Sequence, residues 1–180
     1  FVVSSMAYGQ QQIDPASVLP WKNGPVRDAV YSLADNANKV HVWEAYSIRC
    51  YWCQQNAPQV ASLWSTYQDL AADDASYERV QFLDLGVGQS ARDFRSWISS
   101  HAPEYPVVDD PGRVIWSALA QSNSIPQTFV TDCNGTLVDA TVGYWNESSI
   151  QTIQAAIETA LETECVDCLL YTSDAADEVL

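Results

Sequence analysis

The chain has 180 residues, of which 47% are hydrophobic, and its formal net charge is −15. A chain of this length and composition can bury one substantial core, and no linker-like stretch divides it, so we predict a single domain. The 23 acidic residues against 8 basic ones argue against nucleic acid or an anionic membrane as a partner, because both attract clustered cations. No apolar run reaches the length of a membrane span, so we expect none in the mature chain.

Both ends of the sequence resemble segments that lie outside a native domain. At the N-terminus, Ser5-Met6-Ala7 fits the small-x-small pattern of signal-peptide cleavage, so we assign residues 1–20 to a signal-peptide remnant and leader. Residues 168–178 resemble the translation of a sequencing-library adapter, and we treat them as not native. A domain over residues 21–165 is left, and we expect an exported protein, periplasmic or extracellular.

The first predicted element is a short amphipathic helix over residues 23–36. Its apolar residues recur at steps of three and four: Val26, Ala29, Val30 and Leu33. A β-rich segment follows, then a long helix that Pro58 should kink, a second strand, and a helix capped by Ser90. These four segments are Lys39 to Tyr46, Cys50 to Ala72, Arg79 to Gly86 and Ser90 to His101.

The second half is predicted to contain a short extended segment, a helix, a hairpin and a final helix. Asn134-Gly135 is a strong signal for the hairpin turn. Strands that alternate with helices predict parallel pairing, so the expected class is α/β, a central mixed β-sheet flanked by helices. The segments are Tyr105 to Asp109, Pro111 to Gln121, Pro126 to Thr131 paired with Thr136 to Val142, and Glu147 to about Glu164.

The candidate reactive group is Cys50-Tyr51-Trp52-Cys53, at the junction of the first strand and the long helix. Unpaired N–H groups and the helix dipole stabilise a thiolate at a helix N-terminus, and the thiolate is the form that attacks disulfides. The neighbouring Arg49 should act in the same direction. Two cysteines in a first helical turn can also close a disulfide, so Cys53 can resolve a mixed disulfide made by Cys50.

A C-x-x-C at a helix start, in this order of elements and with a proline opening the hairpin, resembles the thioredoxin-like, or redoxin-like, fold. More narrowly, the chain is similar to the exported thiol-disulfide oxidoreductases of the TlpA/ResA type, whose extra element before the proline strand it shares. The resemblance covers about residues 22–164. The matching stretches are Val42 to Ala45, Cys50 to Cys53 with Pro58, Tyr105 to Gly112, Ser124 to Asp132, Asn134-Gly135 and Val142-Gly143.

The resemblance implies a role for each site residue. Cys50 would be the nucleophile, Cys53 the resolving thiol, and Pro126 a cis-proline that shapes the substrate groove. The backbone of Ile125 would pair with an extended substrate. The implied function is disulfide exchange in cell redox homeostasis outside the cytoplasm. The implied partners are protein thiols and disulfides and a redox partner protein, with a monomeric chain and no cofactor.

Two departures from the family pattern bear on the site. Arg49 stands where the family has a tryptophan, and Trp43 lies seven residues before Cys50 instead of four, which suggests an insertion. Counting back from Trp43 places His41 at the position of a buried acid that assists proton transfer. A histidine has a suitable pKa for that task. His41 is therefore a candidate for proton transfer, with a core histidine as the alternative.

The residues between the cysteines form a third departure. Tyr51 and Trp52 match neither the pattern of strong oxidants nor that of reductants, so both directions of electron flow stay open. Both are candidate substrate contacts, and we expect Tyr46 and Trp145 within reach of Trp52 at the mouth of the site.

The resemblance also bears on the other cysteines. In this fold the last helix returns to the end of the sheet that carries the hairpin turn, so Cys165 is expected to form a structural disulfide with Cys133, with two free thiols as the alternative. Cys165 and Cys168 form a second C-x-x-C. Its distance from Cys53 far exceeds zinc-finger spacing and Cys168 falls in the adapter-like segment, so we predict no metal site.

Two other functions stay open. A copper-binding or metallochaperone module would need a Cys-x-x-x-Cys pair and a histidine placed beside it, whereas this chain has Cys-x-x-Cys and only His41 and His101. A non-catalytic domain would hold Cys50 and Cys53 as a structural disulfide, with a potential too low for exchange with thiols.

Overall fold

The computed structural model describes residues 11–166, and its centre is a five-stranded mixed sheet with strand order β5-β4-β3-β6-β7. Strands β3, β4 and β5 are parallel, β6 is antiparallel to β3, and β7 is antiparallel to β6. The predicted α/β class and mixed sheet are therefore confirmed. The strands are β3 (Val40–Tyr46), β4 (Val80–Gly86), β5 (Val107–Asp109), β6 (Gln127–Thr131) and β7 (Leu137–Val142).

Helices cover both faces of this sheet. Helices α1, α2 and α4 pack on one face, while α3 and a two-stranded hairpin of β1 and β2 pack on the other. The predicted Ser90 cap is present, because its hydroxyl accepts from Asp93 N and the Asp93 carboxylate accepts from Ser90 N. The elements are β1 (Val18–Pro20), β2 (Val30–Ser32), α1 (Tyr51–Asp73), α2 (Ala91–His101), α3 (Val114–Leu119) and α4 (Glu147–Leu161).

Strand β3 lies at the centre because all seven of its residues are buried. Successive side chains of a strand point to opposite faces, and this strand supplies apolar groups to both. Val40 and Val42 pack in the cluster beneath α1 and α4, whereas Trp43 and Ala45 pack in the cluster beneath α3. A strand that is apolar on both faces is typical of the interior of a helix-covered sheet.

The helix predicted over residues 23–36 is wrong. Most of this segment forms a loop and strand β2, which pairs with β1 as an antiparallel hairpin. The expected apolar stripe is only partly buried: Val26 and Val30 are 68% and 56% exposed, whereas Leu33 is buried, and so is Tyr31, which lies outside the stripe. Asp28 also adopts a left-handed backbone with φ 58°, which a continuing helix would not allow.

The edge of β5 explains why a hairpin replaces the helix. An edge strand presents unpaired N–H and C=O groups. Here Lys22 N donates to Val107 O at 2.8 Å, and Val107 N donates to the Asn23 carboxamide oxygen at 2.7 Å. These long-range bonds fix the backbone around residue 22, and local helical periodicity is too weak a preference to override them.

The predicted boundaries differ from the structure at three other places. Helix α3 is shorter than the predicted 111–121, and α4 ends at Leu161. Ile13 is buried against the domain, so the segment 1–20 that was assigned to a leader includes at least one residue of the core. The suspected cleavage pattern at residues 5–7 and the adapter-like segment lie outside the described residues. Among the described helices, none combines the length and hydropathy that crossing a membrane requires.

The structure joins Cys133 to Cys165 in a disulfide, with their Cα atoms 5.5 Å apart. The bond fastens the segment after α4 to the turn between β6 and β7. Arg79 reinforces it, because its guanidinium donates to Leu161 O and lies 3.1 Å from Cys165 Sγ. Asn134 adds bonds to Glu164 O and from Val166 N. This end of the sheet is the one at which β3 begins.

We expect the Cys133→Ala/Cys165→Ala variant to lose about 3 to 4 kcal/mol of unfolding free energy, because the bond closes a loop of some 30 residues in the unfolded chain. Urea denaturation of the oxidised proteins measures the loss. The matched control is Cys50→Ala/Cys53→Ala, whose much shorter loop predicts a smaller loss. An equal or larger loss in the control would contradict the clamping role of the Cys133–Cys165 bond.

Candidate active site

The dithiol lies where β3 ends and α1 begins. Ser47 to Arg49 form the connection, and Cys50 is the N-cap of α1 with an extended backbone. Its Sγ accepts a hydrogen bond from Cys53 N at 3.2 Å. The two cysteines are joined in a disulfide with their Cα atoms 5.2 Å apart. An N–H group of the first helical turn therefore points at the sulfur that would carry negative charge, as the position of the quartet predicted.

The two sulfurs differ in accessibility. Cys53 is 1% exposed and packs with Tyr46, Ala57 and Trp97, whereas Cys50 is only partly buried. A disulfide exchanges when a thiolate reaches one of its sulfurs along the S–S axis. Only Cys50 is open to a partner from outside, so Cys53 is left to react within the molecule.

Pro126 faces the dithiol. The Ile125–Pro126 peptide bond is cis, and the carbonyl oxygen of Ile125 lies 3.8 Å from Cys50 Sγ. The loop after β7 supports this turn, because Gly143 N donates to Pro126 O at 2.9 Å. Gly143 has φ 96°, a conformation that side chains rarely allow. The structure thus brings together Cys50, Cys53, Ile125 and Pro126, to which the family resemblance gave roles in one site.

The connection before Cys50 is held by two glutamine side chains. Gln89 accepts from Ile48 N at 2.9 Å, and Gln54 donates to Ile48 O at 2.7 Å. Both backbone groups of Ile48 are therefore occupied, which fixes the path of residues 47–49. Arg49 projects into solvent from this fixed segment.

His41 lies near the beginning of β3, five residues before the strand ends at Tyr46. The dithiol follows the other end of the strand. Its Nε2 lies 2.9 Å from the Tyr31 hydroxyl, and its ring stacks on Trp43. Burial, with a smaller contribution from Lys39, lowers the pKa of His41 to about 3, so the ring is neutral near pH 7. These contacts are those of a core histidine.

Glu44 is the buried acid that the sequence analysis missed. Strand β3 continues through Tyr46, and Tyr46 is the aromatic residue four positions before Cys50. The sequence analysis counted back from Trp43 to reach His41, and the same count from Tyr46 leads to Glu44. Its carboxylate accepts from Asn56 Nδ2 at 3.1 Å and from Thr128 Oγ1. An acidic residue in the middle of an otherwise apolar strand was the available signal.

A second carboxyl group lies beside Glu44. Asp84 is its register partner on β4, is 2% exposed, and accepts from Trp97 Nε1 at 2.7 Å. Burial is the main cause that raises the pKa of Glu44 to about 8 and of Asp84 to about 7, and the charge of Asp84 adds to the effect on Glu44. Two buried like charges disfavour simultaneous ionisation, so the pair retains protons near neutral pH.

Tyr51 and Trp52 are 62% and 53% exposed at the rim of the site. Tyr46 and Trp145, which were expected within reach of Trp52 at the mouth of the site, are both buried. Trp52 instead lies against Tyr144, with ring centroids 5.3 Å apart. The sequence does show Tyr144 next to Trp145, but which neighbour faces solvent depends on the turn after β7.

Comparison with solved structures identifies the architecture. A thiol:disulfide interchange protein DsbE from Chlorobium tepidum aligns with a TM-score of 0.63 at 22% identity, over 83% of this chain and 97% of that one. The chain has the thioredoxin fold. A protein disulfide isomerase from Bacteroides thetaiotaomicron aligns at 0.63 and 18% identity, over 82% of this chain and 89% of that one.

A secreted disulfide oxidoreductase of Mycobacterium tuberculosis aligns over 81% of this chain and 96% of its own length, with a TM-score of 0.57 and 16% identity. The thioredoxin-like resemblance seen in the sequence is therefore confirmed for the fold. No protein-family model matches the chain, and no curated protein sequence does either.

The buried carboxyl groups predict a pH dependence of stability. Above their unfolded pKa values, Glu44 and Asp84 hold protons in the folded protein that the unfolded chain has released. Their favourable contribution is thus complete at low pH and is lost as the pH rises through about 7 to 8. We expect the unfolding free energy of the oxidised protein to fall by a few kcal/mol between pH 6.5 and 9.

Urea denaturation across this range measures the slope. His41 acts in the opposite direction near pH 6.5, where part of the unfolded histidine is charged, and it is neutral in both states from about pH 7.5 upward. Glu44→Gln should flatten it, because one of the two protons is removed from the balance and the remaining carboxyl group loses its charged neighbour. The exposed Glu104→Gln is the control and should leave the slope unchanged. If Glu44→Gln has the same slope as the wild type, the pH dependence of stability does not come from a raised pKa of Glu44.

Proposed function

We propose that this protein is a thiol-disulfide oxidoreductase that exchanges disulfides with protein substrates through Cys50 and Cys53. The observation that carries the proposal is the asymmetry of the pair. Cys50 is accessible, receives a helix N–H group and lies beside the cis turn at Ile125 and Pro126, while Cys53 is buried directly behind it. A substrate thus meets one sulfur, and the second is kept for the intramolecular step.

In the reducing direction, the Cys50 thiolate attacks one sulfur of a substrate disulfide, which forms a mixed disulfide and releases the first substrate thiolate. The Cys53 thiolate then attacks Cys50 Sγ, breaks the intermolecular bond and releases the second thiolate. The substrate has gained two electrons and two protons, and the dithiol has lost them. Oxidation of a substrate dithiol consists of the same steps in reverse, so one site serves both directions.

We further propose that Glu44 takes the proton of Cys53 in the second step. Asn56, which binds Glu44, follows Cys53 by three residues and so lies one helical turn further along α1. A carboxyl group whose pKa is raised to about 8 is well matched to a thiol, whose ordinary pKa is near 8.5. His41 would have to act from the opposite end of β3, so Glu44 replaces it in this role.

The rim residues are proposed to bind the substrate. The backbone of Ile125, held by the cis bond before Pro126, would pair with an extended segment that carries the reacting sulfur. Tyr51 and Trp52 would contact its side chains. We also propose that the chain acts outside the cytoplasm as a monomer that a redox partner protein recharges, because a second disulfide at Cys133 and Cys165 suits an oxidising compartment.

Copper binding fits the arrangement less well. It would call for a histidine beside the two sulfurs, whereas His41 lies against Tyr31, and His101 stacks on Trp97 with ring centroids 4.2 Å apart. A purely structural role for the Cys50–Cys53 bond fits poorly with the accessibility of Cys50.

The test is catalysis of insulin disulfide reduction by dithiothreitol, together with the equilibrium potential of the dithiol against glutathione. We expect Cys50→Ser to abolish catalysis. Cys53→Ser should accumulate a mixed disulfide with insulin, because the resolving step is lost. Glu44→Gln should slow turnover most where wild-type Glu44 is ionised, above about pH 8. Catalysis that survives in Cys50→Ser would refute the proposal, and Cys133→Ala/Cys165→Ala should retain activity as the control.

A further inference from the structure

One side of the dithiol carries an exposed aromatic surface. Tyr51 and Trp52 follow Cys50 directly, and their ring centroids are 5.1 Å apart. Tyr144, which is 45% exposed, extends this surface from the loop after β7. We call Tyr51, Trp52 and Tyr144 the aromatic rim. Trp52 contacts the other two rings, and the three exposed rings beside a reactive sulfur leave a large apolar area in water, which is typical of an interaction site.

The other side of the dithiol carries exposed arginines. Arg49 precedes Cys50, Arg92 lies in the first turn of α2, and Arg113 immediately precedes α3. These positions follow the carboxyl ends of the parallel strands β3, β4 and β5, so all three lie at the edge of the sheet that bears the dithiol. We call Arg49, Arg92 and Arg113 the cationic rim. Arg49 and Arg92 both lie near Asp93, whose pKa is lowered by Ser90 hydrogen bonds and also by these two arginines. The Arg113 guanidinium lies close to Gly88, in the loop between β4 and α2.

The other cations of the chain are mostly engaged elsewhere. Lys22 forms an ion pair with Asp109 at 3.1 Å, and Arg27 lies 3.7 Å from Asp28. Lys39 and Arg79 bind backbone carbonyl groups at the opposite end of the sheet. Only Arg95, on α2, adds to the group at the rim.

The local positive charge persists despite nearby acids and the net charge of −15. Asp93 offsets one rim arginine but also closes the cap with Ser90, and Asp110 is buried, where it accepts from Val114 N and Trp116 N. At physiological salt the screening length is about 8 Å, so a segment at the rim feels these arginines more than the distant surface carboxylates.

We propose, building on the function proposed above, that the protein substrate presents its cysteine in an extended segment with acidic residues on one side and an aromatic residue on the other. The acidic side chains lie along Arg49, Arg92 and Arg113, and the aromatic side chain packs on Trp52 and Tyr144. Both rims are reached from the same sulfur, so one short segment spans them. The chain thereby selects among cysteine-containing segments by their flanking residues.

The test uses peptides with one cysteine joined to thionitrobenzoate. The reduced enzyme attacks the peptide sulfur through Cys50 and releases thionitrobenzoate, which is measured by absorbance; Cys53 then closes the disulfide and releases the peptide thiol. Two peptides carry glutamates on one side of the cysteine and tyrosine on the other, one peptide in each order. Companion peptides replace the glutamates with lysines, or the tyrosine with serine. A thionitrobenzoate disulfide of cysteamine, which has no flanking residues, reports whether the dithiol reacts at all.

We expect the second-order rate constant of thionitrobenzoate release by the reduced enzyme to be about fivefold higher for the faster acidic–aromatic order than for its lysine companion at low salt, and this ratio to shrink as salt is added. Arg92→Glu should bring the glutamate-to-lysine ratio to one or below. Tyr144→Ser should remove the preference for tyrosine over serine. The matched control is Arg27→Glu, which changes the net charge equally at a remote exposed position and should keep the wild-type ratios.

Equal rates for all peptides with an active cysteamine disulfide would overturn this proposal and leave the proposed function standing. The same loss in Arg27→Glu as in Arg92→Glu would also overturn it, because net charge and not the rim would then be responsible. A wild-type enzyme that fails to react even with the cysteamine disulfide would refute the proposed function and this proposal together.

Discussion

The side-chain amide of Asn56 connects the parts on which the site depends. Its nitrogen donates to Glu44 on β3 and, at 3.4 Å, to Gly143 O, while its oxygen accepts from Trp145 N at 2.9 Å. Gly143 in turn donates to Pro126. One fully buried amide therefore fixes the dithiol helix, the central strand and the turn that faces Cys50 relative to one another. Because buried polar groups are costly when unpaired, the loss of this amide would disturb all three at once.

The sequence predicted the elements whose signals are local. Strand β3 is apolar on both faces, Ser90 with Asp93 forms a complete cap, and Asn134-Gly135 lies in the turn between β6 and β7, with Gly135 in a left-handed backbone. The helix prediction for residues 23–36 failed because the cause of the β1–β2 hairpin is not local. It depends on backbone groups at the edge of β5, more than 80 residues away, which no window around residues 23–36 contains.

The residues of the site also differ in whether a local sequence signal identifies them. Cys50 and Cys53 were visible because their spacing and their place at a helix start carry the chemistry. His41 became the candidate for proton transfer because the count started from Trp43. Tyr46 is the last residue of the strand, and the same count from Tyr46 leads to Glu44, the residue proposed above. The raised pKa of Glu44 comes mainly from burial, with a smaller contribution from Asp84 on the neighbouring strand, and a contact between strands that are forty residues apart in sequence leaves no local pattern.

The Cys133–Cys165 bond lies at the opposite end of the sheet from the dithiol, so the two ends of the domain differ in function. At one end the dithiol and its rims are free to meet a partner; at the other, Arg79 and Asn134 hold the chain as it leaves α4. A linker or surface attachment placed after residue 166 would therefore pull on a covalently anchored segment, on the side away from Cys50. Force applied there would enter the sheet through the disulfide, at the end opposite to Cys50.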